Sequence, residues 1–167
     1  HYAEAAGARL PEPGAAQQAY DSTLQALELS ARYQLPVILR MTTRVCHSKS
    51  PVRPREARME APAPRYERDI PGRVMIPAYA RPAHERLRER LEALAGDQAP
   101  AALLREEGTS TALGIVASGV AAAHAREAAP EARLLEVGMS YPAPMGPIRA
   151  FAEQVERCVV LEEGDPY

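Results

Sequence analysis

Short apolar runs alternate with helix-forming stretches in the last third of the chain, and this alternation constrains the fold more than any other feature. The runs occupy residues 112–117, 133–137 and 158–161, and the stretches between them begin at Ser118-Gly119 and at Pro147. Runs of this length between turn residues are typical of buried strands, and Pro suits the first turn of a helix. Because strand–helix–strand order implies parallel strands with right-handed crossovers, we expect an α/β domain with a βαβαβ parallel sheet.

The first segment, residues 1–50, has the pattern of half an α/β unit. Apolar residues recur at spacings of three and four between residues 16 and 33, which predicts an amphipathic helix. Residues 37–39 (VIL) follow Pro36 and predict a short buried strand, since Pro is tolerated at the first position of a strand. Such a strand needs neighbours on the sheet.

The middle segment, residues 51–82, holds seven of the 16 prolines together with seven arginines. This proline density disfavours helix interiors and central strands, and so long a stretch without secondary structure is unusual inside one domain. We therefore expect a Pro/Arg-rich linker, followed by a helix that begins near Ala83. The predicted organisation is a first unit at residues 1–50, a linker at 51–82 and an α/β domain at 83–167.

Large apolar side chains are scarce, because Leu, Ile, Val and Phe together supply 31 of the 167 residues while Ala alone supplies 32. Any core must therefore be confined to a few short segments. The chain begins at His1 rather than Met, so we expect a piece of a larger protein that exposes apolar patches. With no run near the roughly 20 apolar residues of a membrane span, and no signal-peptide pattern, no membrane partner is expected. Cys46 and Cys158 form no CxxC pair, which favours a reduced, cytoplasmic protein.

The titratable residues indicate neither a metal site nor a nucleic-acid site. His1, His84 and His124 have no second ligand at metal-binding spacing. The net charge of −2 gives no indication of nucleic acid as a partner. Residues 40–58 contain six Lys and Arg residues and one acid, and they could attract a phosphorylated ligand. They contain no aromatic residue on which bases could stack, so a solvated linker is the favoured interpretation.

One motif lies at a predicted strand-to-helix turn. Residues 114–119 (GIVASG) place Ser118 and Gly119 where a helix N-terminus could hold a phosphate. The alternative is structural: Ser118 caps the helix and Gly119 permits a tight turn. The motif lacks the complete glycine patterns of dinucleotide and P-loop sites, which favours the structural alternative.

A second group of polar residues follows the predicted strand at 37–39. Residues 40–48 (RMTTRVCHS), which include Thr43, Arg44 and His47, offer two arginines, three hydroxyls and an imidazole. They could bind a carboxylate or a diphosphate there, because ligands of open α/β sheets bind beyond the carboxyl ends of strands. Equally, these side chains could cap neighbouring backbone groups. A nucleophilic pair of Cys46 and His47 is disfavoured, since adjacent residues of an extended chain point to opposite sides.

Several stretches resemble, in chain order, the α subunit of indolepyruvate ferredoxin oxidoreductase. Residues 35–48 (LPVILRMTTRVCHS) are similar to that family's LPVLLRTTTRVSHS, and the TTRV part is the most specific. The other matching stretches are residues 1–3 (HYA), 10–13 (LPEP), 17–21 (QQAYD), 27–30 (LELS), 114–120 (GIVASGV), 138–144 (GMSYPAP) and 160–166 (VLEEGDP). The linker carries little of the resemblance. Gly14-Ala15 replaces the family's Ser-Asp before the first helix, which weakens the N-cap.

The resemblance implies an enzyme that uses thiamine diphosphate to decarboxylate arylpyruvates such as indolepyruvate oxidatively, with coenzyme A as acyl acceptor and iron–sulfur clusters passing electrons to ferredoxin. It implies that residues 1–50 end a pyrimidine-binding-type domain and that the last unit resembles the transketolase C-terminal domain. The family's activating glutamate, diphosphate–Mg²⁺ motif and cluster cysteines have no counterpart here. We therefore expect an internal fragment without catalytic residues or bound metal. Thiamine diphosphate, Mg²⁺ and the 4Fe–4S clusters are then held by the rest of the parent enzyme.

The resemblance also implies partners, namely the rest of the α subunit, a β subunit and ferredoxin, in an oligomer. From their position beyond the end of the predicted strand, we expect Thr43, Arg44 and His47 to lie on the substrate or coenzyme side of the intact enzyme. The alternative function is a stand-alone α/β module without catalysis. Such a module would bind a nucleotide or a protein partner through residues 114–119 and the basic residues 40–58.

Overall fold

The structure is a computed structural model that describes residues 6–55, 66–95 and 103–164. His1 and residues 56–65 of the predicted linker lie outside the described residues. The strands are Leu10–Pro11 (β1), Leu104–Glu107 (β2), Leu113–Ala117 (β3), Arg133–Val137 (β4), Met139–Tyr141 (β5) and Arg157–Leu161 (β6). The helices are Ala16–Tyr33 (α1), Thr43–His47 (α2), Ile70–Arg73 (α3), Pro77–Ala95 (α4), Gly119–Ala128 (α5) and Met145–Ala152 (α6). In the described ranges, no helix has the length and apolar character needed to cross a membrane.

The main sheet has four strands in the order β2-β4-β3-β6. Both β4 and β6 run parallel to β3, with Val116 opposite Leu135 on one side and opposite Val160 on the other. The crossover from β3 to β4 passes through α5, and the crossover from β4 to β6 passes through α6. The predicted βαβαβ parallel unit is therefore confirmed.

The two faces of this sheet are covered by helices with side chains of different size. On one face, Ile115 and Leu134 pack against alanines of α5, including Ala121 and Ala122. On the other face, Val116, Leu135 and Val137 pack around Phe151 of α6. Because Ala has little side chain to bury, α5 can lie close to the sheet, whereas α6 contributes the large ring of Phe151.

Strand β2 is an edge strand that the sequence did not predict. It pairs antiparallel with β4 and carries Arg105, Glu106 and Glu107. Its charged side chains bind arginines of the neighbouring elements, with Glu107 accepting from Arg126 and Glu106 from Arg133. A charged run without apolar alternation does not predict a strand. It suits a sheet edge, however, because charged side chains discourage pairing with another chain.

The predicted buried strand at residues 37–39 is wrong. This stretch is extended, but only Val37 forms a bridge, with Arg9, and Ile38 is 43% exposed. Backbone hydrogen bonds run from Ile38 to Arg9 and from Arg40 to Pro11, while β5 pairs with β1. Apolar character predicted burial, but among the described residues this stretch pairs only with residues 9–11, which are too few to form a sheet around it.

The helix predicted to begin near Ala83 begins at Pro77, six residues earlier, so this boundary is also wrong. Pro77 occupies the first helical position, where a missing N–H costs nothing. Pro82 lies inside the helix. Its ring removes one backbone hydrogen bond near the helix start, which the following turns of α4 tolerate. The division into a first unit, a linker and an α/β domain stays a prediction.

Candidate functional site

The carboxyl end of β3 lies at the point where the strand order reverses. From β3 the chain crosses to β4 on one side, and from β4 it crosses back to β6 on the other side of β3. Open α/β sheets bind ligands in the crevice beyond such a point. Ser118 and Gly119, at the start of α5, therefore occupy the position where a ligand site is expected.

Gly119 makes the turn from β3 into α5 with a φ of +53°. This left-handed conformation is strained for residues with a side chain, so the expected role of Gly119 in a tight turn is supported by the backbone. Ser118 occupies the N-cap position, but its side chain makes no capping hydrogen bond. Its hydroxyl is directed elsewhere.

The hydroxyl of Ser118 donates to the carboxylate of Glu12 over 2.8 Å. The same carboxylate accepts from Nη1 of Arg40 over 2.7 Å. The Glu12 side chain is 10% exposed, whereas that of Arg40 is 49% exposed. The anion beside the first turn of α5 is therefore the chain's own carboxylate, in a place where the helix dipole favours negative charge.

The turn that carries Glu12 packs tightly on the start of α5. The Glu12 amide donates to the carbonyl of Gly138 over 3.0 Å, and a Cβ on Gly14 would overlap the carbonyl of Gly119. The Gly14 amide donates to Oε1 of Gln18, which stabilises the first turn of α1 where the N-cap Ala15 makes no side-chain bond. Ala15 therefore occupies the N-cap position, and Gly14 allows the close approach of this turn to the carbonyl of Gly119.

Arg40 is held by this network in its charged form. Its hydrogen bond to Glu12 raises the pKa of the guanidinium above the ordinary value. The residues predicted to bind ligand, Thr43, Arg44 and His47, follow Arg40 on α2 and are all exposed. Helix α2 is anchored by the buried Val45, and its N-cap Thr42 accepts from the Val45 amide. Thr43, Arg44 and His47 are thus presented to solvent, whereas Ser118 is half-buried beside Glu12.

A second buried carboxylate lies on β4. Glu136 is 3% exposed, accepts from Nε2 of Gln18 over 2.7 Å, and accepts from Arg126 of α5. Arg126 also binds Glu107 of β2 through two hydrogen bonds. This network ties α1, α5 and both strands together. Sequence reasoning missed it, although a lone Glu inside the apolar run LLEV indicates a partnered charge.

A polar cavity of about 100 Å³ lies between α1 and the sheet. Its lining includes the carboxylates of Glu12, Asp21 and Glu136 and the side chains of Arg55 and Arg105. Ligand pockets for drug-sized molecules are about 300–1,000 Å³, whereas one water occupies roughly 30 Å³. This cavity therefore has room for a few waters and is too small for a nucleotide or for thiamine diphosphate.

The described residues also offer no ligand set for a metal. They contain no group of three His, Cys, Asp or Glu side chains that could hold an ion, and Cys46 and Cys158 are both exposed. An iron–sulfur cluster needs four Cys ligands, and Mg²⁺ prefers carboxylate oxygens in an octahedral arrangement. Neither arrangement fits this part of the chain.

Substituting Gly119 with Ala is expected to lower the free energy of unfolding by about 1 kcal/mol, because a side chain is strained at positive φ. The added Cβ would lie 3.5 Å from the Glu12 carbonyl, an ordinary contact, so the cost is that of the backbone. Urea unfolding measures it. The matched control is Gly146→Ala in α6, which meets no atom within 4 Å and should be neutral or stabilising. Equal effects of the two substitutions would contradict this account.

Acidification is expected to weaken the contact between β2 and α5. The hydrogen bond from Arg126 lowers the pKa of Glu107 below its ordinary 4.5. A carboxyl whose pKa is depressed by folding stabilises the fold above its unfolded pKa, and that contribution is lost as the pH falls through the folded pKa. Below pH 4.5, Glu107→Gln should therefore lose less stability than the parent chain. Urea unfolding across this range, with the exposed Glu85→Gln as control, tests the effect, which a steeper loss in Glu107→Gln would contradict.

Comparisons with known proteins agree on one kind of relative. No family model matches the chain. The chain is similar to "Indolepyruvate oxidoreductase subunit IorA" of Methanothermobacter thermautotrophicus, with 36% identity over 99% of the chain, and of Methanothermobacter marburgensis, with 33% identity over 99%. It spans 28% of the length of each of these two relatives.

A solved structure has a similar fold. It is the "2-oxoglutarate:ferredoxin oxidoreductase from Magnetococcus marinus with 2-oxoglutarate, coenzyme A and succinyl-CoA bound". The match has a TM-score of 0.57 and 15% sequence identity, and it covers 91% of this chain and 34% of the other. This level of identity shows a shared fold only. The resemblance predicted from residues 35–48 and from the other motifs is confirmed by the curated relatives.

Proposed function

Because this chain is a relative of indolepyruvate oxidoreductase subunit IorA along nearly its whole length, we propose that it forms part of such a subunit in a 2-oxoacid:ferredoxin oxidoreductase. The complete enzyme would decarboxylate arylpyruvates oxidatively, transfer the acyl group to coenzyme A and reduce ferredoxin. The observation that carries the proposal is the 36% identity over 99% of the chain. The α/β fold shared with a 2-oxoacid:ferredoxin oxidoreductase supports it.

Within that enzyme, the proposal gives this chain no residue that carries out the chemical step. Glu12, Ser118 and Arg40 bind one another, and the polar cavity beside Glu12 has room only for a few waters. The described residues fit neither Mg²⁺ nor an iron–sulfur cluster. The proposal therefore assigns thiamine diphosphate, Mg²⁺ and the 4Fe–4S clusters to other parts of the enzyme, and it derives no catalytic step from this chain.

The exposed helix α2 is the part of the chain that we propose faces the substrate or coenzyme. Thr43, Arg44 and His47 present hydroxyl, guanidinium and imidazole groups to solvent, and such groups bind carboxylates and phosphates. In the assembled enzyme, Arg44→Ala should raise the KM for arylpyruvate or for coenzyme A by about tenfold, the loss of one charge-assisted hydrogen bond. Unchanged kinetics for both substrates would remove α2 from the site.

The helix N-terminus at Ser118 and Gly119 stays a predicted anion site, but Glu12 occupies it in this structure. An external anion would have to displace the carboxylate of Glu12 from the hydroxyl of Ser118. The site would then open only if the turn at Glu12 moved. No step of the proposed function depends on it.

The proposal also concerns partners and location. We propose that the chain is surrounded by the rest of its subunit, that this subunit assembles with a β subunit and passes electrons to ferredoxin, and that the oligomer works in the cytoplasm. The curated relatives are themselves named as subunits, which supports the need for a partner.

An assay of the complete subunit with its partner subunit tests the function. Indolepyruvate and phenylpyruvate should reduce a viologen dye when coenzyme A is present, and pyruvate and 2-oxoglutarate should do so far more slowly. A loaded assembly that oxidises only the aliphatic acids would overturn the substrate class. A loaded assembly that oxidises no 2-oxoacid would overturn the function itself.

Titration of the isolated chain separates the proposal from a nucleotide-binding module. Thiamine diphosphate with Mg²⁺, and ATP with Mg²⁺, are both expected to give no measurable heat of binding. The polar cavity of about 100 Å³ and a second cavity of about 230 Å³ beside Arg126 are both smaller than the usual pocket for a ligand of this size. Isothermal titration calorimetry measures the heat of binding, on a chain first shown to unfold cooperatively. Saturable binding of either compound to the isolated chain would contradict the proposal and favour the nucleotide-binding module.

A further inference from the structure

Residues 66–76 display large apolar side chains on the protein surface. Every residue of this segment, which we call the apolar strap, is exposed. Its five large apolar side chains have exposed fractions from 43% to 78%, and they are Tyr66, Ile70, Val74, Met75 and Ile76. Single exposed apolar residues are normal, but a contiguous group marks an interaction site. A segment that only spanned the gap between two units would instead be polar.

The shape of the apolar strap is held by its own hydrogen bonds. Asp69 caps the short helix α3 by accepting from the Gly72 amide over 2.9 Å. The Val74 amide donates to the carbonyl of Ile70 over 3.0 Å, and the carbonyl of Ile76 accepts from the first turn of α4. The strap therefore presents its apolar side chains from a formed backbone that leads directly into α4, which lowers the entropy cost of docking.

The charges within the apolar strap cancel. Two acidic residues, Glu67 and Asp69, are matched by Arg68 and Arg73, and the Arg73 guanidinium lies 5.4 Å from the centre of the Tyr66 ring. A surface without net charge gives no electrostatic attraction to an acidic or basic partner. Permanent interfaces are apolar in this way, whereas transient contacts are smaller and more polar. The strap thus fits a permanent interface.

We propose that the apolar strap packs against an apolar surface of its own subunit, formed by polypeptide outside the stretch that this chain represents. The inference rests on the proposed function, since it requires the chain to be part of an IorA-type subunit. The chain spans 28% of the relative from Methanothermobacter thermautotrophicus, so more than two thirds of that polypeptide lies outside the match. In a subunit of that length, the remainder would be covalently linked to the strap, which would raise its effective concentration above that of a separate partner.

Oxidation of Met75 in the complete subunit tests the proposal. Met75 is 56% exposed in this structure, and peroxide oxidises methionines according to their exposure. We expect dilute peroxide to oxidise Met75 about fivefold more slowly in the native subunit than in the same subunit unfolded by guanidinium. Mass spectrometry of the peptide that contains Met75 gives both rates. A native rate within about twofold of the unfolded rate would mean a solvated strap and would overturn the proposal.

Two further conditions distinguish the other occupants of the apolar strap. Protection that disappears on dilution of the subunit would identify a second copy, and protection that appears only after the partner subunit is added would identify that subunit; either outcome overturns the proposal. Protection of the subunit alone, independent of its concentration, supports it. The arylpyruvate assay tests the proposed function separately. An exposed strap in an active enzyme would overturn only the proposal that the strap is docked. A protected strap in an assembly inactive on 2-oxoacids would overturn only the proposed function.

A substitution provides an independent measurement. Met75→Asp should lower the melting temperature of the complete subunit by about 3 °C, because a charge would be buried in the interface. The matched control is Arg68→Asp in the same segment, which changes a charge without removing apolar contact and should leave the melting temperature within about 1 °C. Equal melting temperatures for Met75→Asp and the parent subunit would count against the docked strap.

Discussion

Replacing Phe151 with Ala is expected to lower the free energy of unfolding of this chain by about 4 kcal/mol. Phe151 is the only Phe of the chain, is 2% exposed, and lies among Val116, Leu135 and Val137 on the α6 face of the sheet. Truncation removes the aromatic ring from this cluster and leaves a cavity. Because small domains are stable by only about 5–15 kcal/mol, this one substitution removes a large share of the total.

Urea unfolding followed by circular dichroism measures the effect of Phe151→Ala. Phe151→Leu keeps most of the volume and should cost about 1 kcal/mol, so it reports on the packing even if Phe151→Ala fails to fold. Ile38→Ala is the matched control, because Ile38 is large and apolar but 43% exposed, and it should change stability by less than about 0.5 kcal/mol. A loss in Ile38→Ala as large as that in Phe151→Ala would show that the core has been wrongly located.

Removing Arg40 is expected to cost more stability than removing its partner Glu12. Arg40→Ala leaves the carboxylate of Glu12, 10% exposed, with the hydroxyl of Ser118 as its remaining side-chain partner, and this should cost about 2 kcal/mol. Glu12→Ala leaves a guanidinium that is 49% exposed and can be solvated, so its cost should be nearer 1 kcal/mol. The asymmetry follows from the burial of the group that remains.

A double-mutant cycle with Arg40→Ala and Glu12→Ala measures the coupling between the two side chains. The double variant should be less destabilised than the sum of the single variants, since neither charge is left alone. Arg88→Ala and Glu85→Ala, at exposed positions of α4, are the controls and should each stay within about 0.5 kcal/mol of the parent. Additive effects of Arg40→Ala and Glu12→Ala would show that the observed 2.7 Å bond contributes nothing to stability.

The elements that were predicted correctly are those whose residues carry a repeating local pattern. Helix α1 occupies residues 16–33 as its three- and four-residue spacing predicted, and β3, β4 and β6 occupy the three apolar runs. Backbone geometry sets these periods, so the pattern is readable wherever one face is buried. Parallel pairing of the three strands also followed, because the intervening helices leave room only for crossovers.

The errors occurred where neighbours decide the structure. Residues 37–39 are as apolar as β3, but they pair only through Val37, so they form no ladder. Leu104–Glu107 are charged and still form β2, because Arg126 and Arg133 bind their carboxylates. Helix α4 continues through Pro82, because Pro82 lies near the helix start and the following turns keep their backbone hydrogen bonds. Local propensity is a weak determinant, and tertiary contacts override it.

By itself, the sequence determined the α/β class, the order of strands and helices, and the relationship to the indolepyruvate oxidoreductase subunits, because these depend on local periodicity and on motifs such as TTRV. Only the tertiary structure decided what the polar residues do. Ser118 was expected to cap a helix or hold a phosphate, and instead it binds Glu12, 106 residues away in the chain. Glu12 in turn binds Arg40, 28 residues away. A buried charge takes whichever partner the fold brings within hydrogen-bonding distance, and no local pattern records which residue that is.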